Sequence, residues 1–145
     1  MTKDVLISIR GTQRSQGEEP QTIELTTDGQ LRREGDALLL SYTETEVTGM
    51  EGVVTTFRVT DGGTVQLLRE GATNATMTFV EGEKTESLYD MGFGALLLGV
   101  SARKVVARLH EGGGTLFVDY AVEVEHVPVG SNTYEIAVRE PGQPS

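Results

Sequence analysis

The sequence consists largely of short runs in which apolar and polar residues alternate, and most of these runs end at glycine. Alternation with a period of two is typical of a β-strand that buries one face and exposes the other. The clearest run carries Leu116, Val118, Tyr120, Val122 and Val124 on one face. Since no stretch shows a convincing helical period, the pattern predicts an all-β chain of about nine or ten strands.

Residues 88–100 are the stretch around which the rest of the chain is organised. Two glycines flank Phe93 and predict a bend, and the apolar run that follows predicts a buried strand. Residues 95–109 form the only run long enough to suggest a helix. Gly99 and the β-branched Val100 disfavour that alternative and favour a strand.

Successive hairpins usually pair with their neighbours, so the simplest arrangement of these strands is an antiparallel meander. A sheet of this many strands twists, and closing it removes its exposed edges. We therefore expect a single antiparallel up-and-down β-barrel, with a two-sheet sandwich as the alternative. A barrel of eight or more strands holds either packed side chains or one small ligand.

The length of the chain is typical of one domain, so we expect residues 1–145 to form a single β-barrel domain. Residues 11–20 are polar and predict a flexible loop, and residues 140–145 predict a polar tail. The Asp28-Gly29 pair and residues 128–132 are predicted turns.

The charge balance limits the classes of partner. Twelve lysines and arginines against 22 aspartates and glutamates give a formal net charge of −10, which repels phosphate backbones and anionic lipid headgroups. We therefore expect neither nucleic acid nor membrane as a partner. The absence of cysteine excludes disulfides and thiolate chemistry. The N-terminal apolar segment is too short for a signal peptide and no apolar run is long enough for a membrane span, so we expect a cytoplasmic protein.

A few polar residues fall on faces that are otherwise apolar. Arg69 follows Val65 and Leu67 at a period of two, Tyr42 and Glu44 continue a leucine-rich face, and Tyr120 lies within a valine-rich one. A guanidinium, phenols and a carboxylate that face an apolar cavity would fix the orientation of a small ligand. The alternative is structural: Arg69 pairs with Glu44 at the barrel rim, and the tyrosines complete the core.

The sequence offers little for catalysis. His110 and His126 lie at strand ends beside glutamates, and the expected strand register keeps them apart, which disfavours a two-histidine metal site. Ser41 and Ser87 have no histidine in an obvious partner position, so a hydrolase triad has no support. We expect no catalytic residue, no metal and no cofactor.

The spacing of several short motifs across residues 3–139 resembles the YwiB-like family of small bacterial proteins. The motifs are Tyr42-x-Glu44, Gly49, Arg69-x-Gly71, Met77-x-Phe79 and Tyr89-x-Met91-x-Phe93-Gly94. The resemblance implies a calycin-type barrel, similar in shape to lipocalins and fatty-acid-binding proteins. It also adds Tyr89 to the candidate ligand-binding residues, which are then Tyr42, Glu44, Arg69, Tyr89 and Tyr120.

Three functions remain open at this point. The first is non-catalytic binding of a small apolar or amphipathic ligand inside the barrel. The second is a protein-interaction module with a side-chain-filled barrel, whose outer wall presents Leu68, Val106 and Phe117. The third is an enzyme that uses Arg69 and Glu44. An empty barrel interior favours the first and a packed one the second. The same three outer residues also lead us to expect a two-fold homodimer.

Overall fold

The computed structural model describes residues 2–15, 17–46, 50–71, 74–90 and 94–141, and their strands form one antiparallel sheet. The strands are β1 (Thr2–Ser15), β2 (Gln21–Glu34), β3 (Ala37–Thr43), β4 (Val54–Thr60), β5 (Val65–Glu70), β6 (Ala75–Phe79), β7 (Lys84–Asp90), β8 (Ala95–His110), β9 (Gly113–Val124) and β10 (Val127–Arg139). No helix of the described residues is long and apolar enough to cross a membrane.

The sheet curls into a nearly closed barrel. Each strand pairs with its neighbours in the chain, and β1 also pairs with β10, so the order is β6-β5-β4-β3-β2-β1-β10-β9-β8-β7. The two edge strands, β6 and β7, are consecutive in the chain, as in an up-and-down barrel. The sequence-based prediction of an all-β antiparallel barrel with nine or ten strands is therefore confirmed.

The edge between β6 and β7 is joined by side chains rather than by a backbone ladder. The hydroxyl of Thr85 donates to the carbonyl oxygen of Thr78 at 2.6 Å, and the hydroxyl of Ser87 donates to that of Thr76 at 2.7 Å. Backbone carbonyls at a sheet edge need donors, and these hydroxyls supply them.

Alternating residues of the strands meet in one core inside the barrel. Val5, Ile7 and Ile9 of β1 point inward, as their spacing predicts, and so do the corresponding apolar residues of β3, β4, β5 and β9. The most completely buried side chains include Phe57, Phe79, Leu40, Leu67 and Leu116. The core fills the end of the barrel that carries the β2–β3 and β4–β5 turns.

The loop predicted for residues 11–20 is much shorter. β1 continues to Ser15, and Gly11 pairs with Tyr134 on one side and with Ile23 on the other. The polar residues of this segment are compatible with a strand because they lie near the open end of the barrel, where water reaches both faces. Of the predicted tail, residues 142–145 lie outside the described residues.

Two predicted turns are also wrong. Asp28 and Gly29 lie within β2, where a Cβ at position 29 would be only 2.3 Å from Ile7 Cδ1 and 2.6 Å from the Ser41 carbonyl oxygen. This glycine is therefore required by a close approach of neighbouring groups rather than by a turn.

Residues 128–132 lie within β10, with an irregular register between Pro128 and Gly130. The chain turns earlier, at Glu125 and His126, which have φ angles of 50° and 69°. Left-handed residues in a two-residue hairpin usually include glycine. Here two hydrogen bonds to Leu97 hold Glu125. The backbone N–H of Glu125 donates to the carbonyl oxygen of Leu97, and the backbone N–H of Leu97 donates to the Glu125 carboxylate, each at 2.8 Å.

The stretch 88–100 forms the end of β7 and the start of β8, and the predicted bend at Phe93 lies outside the described residues, as does Gly49. The run after the bend is a strand, as predicted, but its three leucines, residues 96–98, are only half-buried. They lie near the open end of the barrel, where the core stops.

The outer-wall residues of the interaction hypothesis do not form one exposed patch. Val106 and Phe117 are cross-strand partners on β8 and β9, whereas Leu68 lies on β5, beyond β6 and β7. All three side chains are half-buried. The homodimer expected from them stays a prediction.

Candidate functional site

A cavity of about 390 Å³ occupies the barrel interior at the end opposite the β2–β3 and β4–β5 turns. Its rim includes Gln13 and Gln21, at the facing ends of β1 and β2, and Met50, between β3 and β4. The volume is within the range typical of small-molecule sites. The barrel is thus packed at one end and open at the other.

All five residues that the sequence selected line this cavity. Glu44 follows β3, which carries Tyr42, while Arg69, Tyr89 and Tyr120 come from β5, β7 and β9. Period-two alternation explains the inward orientation of Tyr42, Arg69 and Tyr120 on their strands. Glu44 continues the face of Tyr42 beyond the end of β3, whereas Tyr89 is a candidate only through the family resemblance. The structure therefore brings the sequence-predicted residues together.

The sequence did not point to several other polar residues of the cavity, among them two whose hydrogen bonds shape the site. Asn132 and Tyr134 are on β10, and both line the cavity. Tyr134 precedes Ile136 and Val138 at a period of two, which was a usable signal for its inward orientation. The polar, glycine-containing surroundings of Asn132 instead predict a turn.

The structural hypothesis predicts an ion pair between Arg69 and Glu44, but the two side chains do not form one. Its Nη2 atom donates to the phenol oxygen of Tyr134 at 2.9 Å, and its buried Nε has no hydrogen-bond partner among the described residues. Burial acts to lower the pKa of the guanidinium, but Tyr134, Tyr120 and Glu44 together outweigh it, so the pKa is raised. The arginine is therefore a cation that faces the cavity.

The Glu44 carboxylate is held by a neighbouring strand. Glu44 is only 4% exposed, and its Oε2 atom accepts a hydrogen bond of 2.5 Å from the hydroxyl of Thr55, which is fully buried on β4. A buried carboxylate needs donors, and Thr55 supplies one from the barrel wall. The predicted ion pair is thus replaced by two separate arrangements, Arg69 with Tyr134 and Glu44 with Thr55.

Two tyrosines of the cavity, Tyr42 and Tyr120, are neutral hydrogen-bonding groups. Burial, together with the Glu44 charge, raises the pKa of the Tyr42 phenol far above its ordinary value, and burial likewise raises the pKa of Tyr120. The phenol of Tyr120 accepts a hydrogen bond of 3.2 Å from Asn132 Nδ2. Both phenols therefore keep their protons at neutral pH.

Aromatic contacts fix the positions of Tyr120 and Tyr134. Their rings stack at a centroid distance of 6.3 Å, Phe79 packs against Tyr120 at 4.6 Å, and Phe57 meets Tyr134 edge-on at 5.8 Å. Such contacts restrict the ring orientations. The phenols are thus presented to the cavity by a rigid aromatic floor.

The two histidines lie at opposite ends of the barrel, and neither lines the cavity. His110 ends β8 beside the β8–β9 turn, and His126 lies in the β9–β10 turn at the other end of the barrel. Within the described ranges there is no group of three or more His, Asp or Glu residues placed to hold a metal ion.

A second hollow, of about 640 Å³, lies on the outer wall over β2, β1, β10 and β9. Its floor includes Phe117, and its charged residues, Arg10, Glu24 and Glu135, are more than half exposed. Exposed ion pairs of this kind contribute little binding energy or stability. The interior cavity is the better candidate site.

Comparisons with known proteins support the fold and identify the family. Residues 7–136 match a family described as "Domain of unknown function (DUF1934)". The chain is 32% identical over 119 residues to the "Uncharacterized beta-barrel protein YwiB" of Bacillus subtilis (strain 168), covering 79% of this chain and 82% of that protein. The crystal structure of the ywiB protein from Bacillus subtilis superimposes with a TM-score of 0.73 at 24% identity, over 94% of this chain and 92% of the other. The chain therefore belongs to the DUF1934 family and to the YwiB-like family of β-barrel proteins.

Proposed function

We propose that this β-barrel protein binds a small amphipathic molecule in its interior cavity and does no chemistry on it. The observation that carries the proposal is the cavity itself, about 390 Å³ of space enclosed by strands that otherwise pack a continuous core. Apolar cavities with a few convergent polar groups are the usual form of small-molecule sites.

The lining has the two parts that an amphipathic molecule requires. Leu25, Met77, Leu98 and Val122 supply apolar surface from four different strands. Arg69 and the phenols supply polar groups that are already fixed by hydrogen bonds and ring contacts. Preformed polar groups lose little freedom on binding, which favours recognition of a ligand over structural neutralisation alone.

The alternative of a protein-interaction module has less support. A barrel filled with side chains was its premise, and the open end of this barrel is not filled. The outer residues on which it relied, Leu68, Val106 and Phe117, are half-buried in the barrel wall.

A fluorescent probe-binding assay tests the proposal. Phenylnaphthylamine is an uncharged apolar probe whose emission rises in a dry site, and we expect wild-type protein to bind it saturably. Val122→Trp should abolish that signal, because the indole would fill the cavity that Val122 lines. Val106→Trp, which adds the same side chain on the outer wall, should leave it unchanged.

Circular dichroism of both variants would establish that they keep the β-fold. Saturable probe binding that survives Val122→Trp in a folded protein, or no binding by the wild type, would contradict an interior site. Native mass spectrometry of the purified protein would add the mass of any co-purified small molecule.

A further inference from the structure

We propose, on the basis of the binding function above, that the ligand carries a single carboxylate and that the guanidinium of Arg69 binds it. Arg69 lines the cavity, and its buried Nε–H group has no acceptor among the described residues. A buried donor without an acceptor is destabilising unless a ligand or water supplies one. A carboxylate is the acceptor whose shape best matches the edge of a guanidinium.

The neighbouring phenols make the site rich in donors. Tyr134 accepts a hydrogen bond from Arg69, and Tyr120 accepts one from Asn132. Each phenol oxygen that accepts in this way still has its own O–H to donate. Tyr120 and Tyr134 can use one of these O–H groups on each other, which leaves at least one phenol donor beside Arg69 in this part of the cavity and favours a ligand group with several acceptor lone pairs.

Glu44 limits how much negative charge the ligand can carry. Its carboxylate lies close enough to Arg69 to raise the pKa of the guanidinium, and it lines the same cavity. One cation and one anion leave the empty site with little net charge. For a dianion such as a phosphate monoester, the attraction to Arg69 and the repulsion from Glu44 both double, whereas the cost of removing the ligand charge from water grows faster than the charge. A site of little net charge therefore favours a monoanion.

The test compares amphiphiles that share a decyl tail and differ in the head group. Decanoate, decanol, decyl phosphate and decyltrimethylammonium would each compete with phenylnaphthylamine at neutral pH, where the carboxylate is ionised. We expect decanoate to displace the probe about tenfold more tightly than decanol, as a charge-assisted hydrogen bond implies. Decyl phosphate and the ammonium compound should be weaker than decanoate.

Arg69→Met should remove the preference and bring decanoate to the level of decanol, while binding of the uncharged probe persists. Arg103→Met is the matched control, because Arg103 pairs with Asp119 on the outer wall and should leave the preference intact. Persistent probe binding also shows that the Arg69 variant is folded. If the Arg69 variant fails to fold, the relative affinities of the wild type for decanoate and decanol still test whether the site prefers a carboxylate.

Equal displacement by decanoate and decanol in the wild type would overturn the carboxylate assignment and leave the binding function standing. So would a decanoate preference that survives Arg69→Met. Failure of the uncharged probe to bind the wild type would instead overturn the binding function itself. The two failures are therefore distinguishable.

Discussion

The hydrogen bond from Arg69 to Tyr134 spans the interior of the barrel. Arg69 is on β5 and Tyr134 on β10, and four strands separate them in either direction around the sheet. The two residues thus lie on opposite walls, and their contact, together with the stacked ring of Tyr120, forms a polar floor beneath the cavity. It separates the packed half of the barrel from the open half.

This contact predicts an asymmetry between the two partners. Tyr134→Phe should lower the free energy of unfolding by about 1.5–3 kcal/mol, because it leaves a half-buried guanidinium with a further donor unsatisfied. Arg69→Met should change it by less than about 1 kcal/mol, since it removes the unsatisfied Nε along with the bond. Urea denaturation of both variants measures the difference.

The double variant Arg69→Met with Tyr134→Phe should recover most of the loss caused by Tyr134→Phe alone. A loss of about 3–5 kcal/mol for Arg69→Met, rescued by Glu44→Leu, would instead indicate a structural Arg69–Glu44 pair.

A second prediction concerns the donor that holds Glu44. Thr55→Val keeps the shape of the side chain but removes the hydroxyl that bonds to the buried carboxylate, so it should destabilise the protein by about 1.5–3 kcal/mol. Thr56→Val is the matched control on the outward face of the same strand, where the hydroxyl meets that of Ser41 at 2.9 Å. Thr56→Val should lower the free energy of unfolding by about 1 kcal/mol or less. Urea denaturation of both variants measures the two effects. Similar effects for the two variants would count against a special role for Thr55.

The inward orientation of Arg69, Tyr42, Glu44 and Tyr120 could be predicted from the sequence because it depends only on local alternation. A strand places every second side chain on the same face, whatever the rest of the chain does. The closed barrel then brings those faces together. These four candidates therefore needed no knowledge of the strand register, whereas Tyr89 was added only by the family resemblance.

The partners of these residues could not be predicted in the same way. Arg69 and Tyr134 are 65 positions apart, and only the β1–β10 closure places β10 opposite β5. The turn at Glu125 and His126 contains no glycine, so a rule based on local sequence does not find it. The hydrogen bonds between Glu125 and Leu97 stabilise this turn instead. Non-local contacts decided both features.

Gly29 gives a direct test of the close approach inside β2. Gly29→Ala should destabilise the fold by about 1–3 kcal/mol, because the new Cβ would overlap Ile7 and the Ser41 carbonyl, and the backbone atom cannot move aside easily. Gly62→Ala is the control, since a Cβ there would meet nothing within 4 Å. Thermal unfolding should show a lower Tm for the first variant and little change for the second. A tolerated Gly29→Ala would mean that β2 can shift at this point.

The last prediction is a loss of stability at alkaline pH. The pKa values of the Tyr42 and Tyr120 phenols are raised in the folded protein, mainly by burial, whereas an unfolded chain releases these protons near pH 10. Above about pH 10 the folded state therefore binds more protons than the unfolded state, so the free energy of unfolding falls as pH rises. Below that pH the folded and unfolded states bind the same number of protons at these phenols, so the phenols do not make the free energy of unfolding depend on pH.

Each phenol should contribute about 1.4 kcal/mol per pH unit above pH 10, so urea titrations at about pH 8 and pH 11 would reveal the fall. Lys84, whose pKa is raised by its hydrogen bond to Glu123, adds to the trend in the same direction. The double variant Tyr42→Phe with Tyr120→Phe retains Lys84 but lacks both phenols, so its stability should fall less steeply than that of the wild type. Equal slopes for the two proteins would mean that the phenols ionise as freely in the folded barrel as in water.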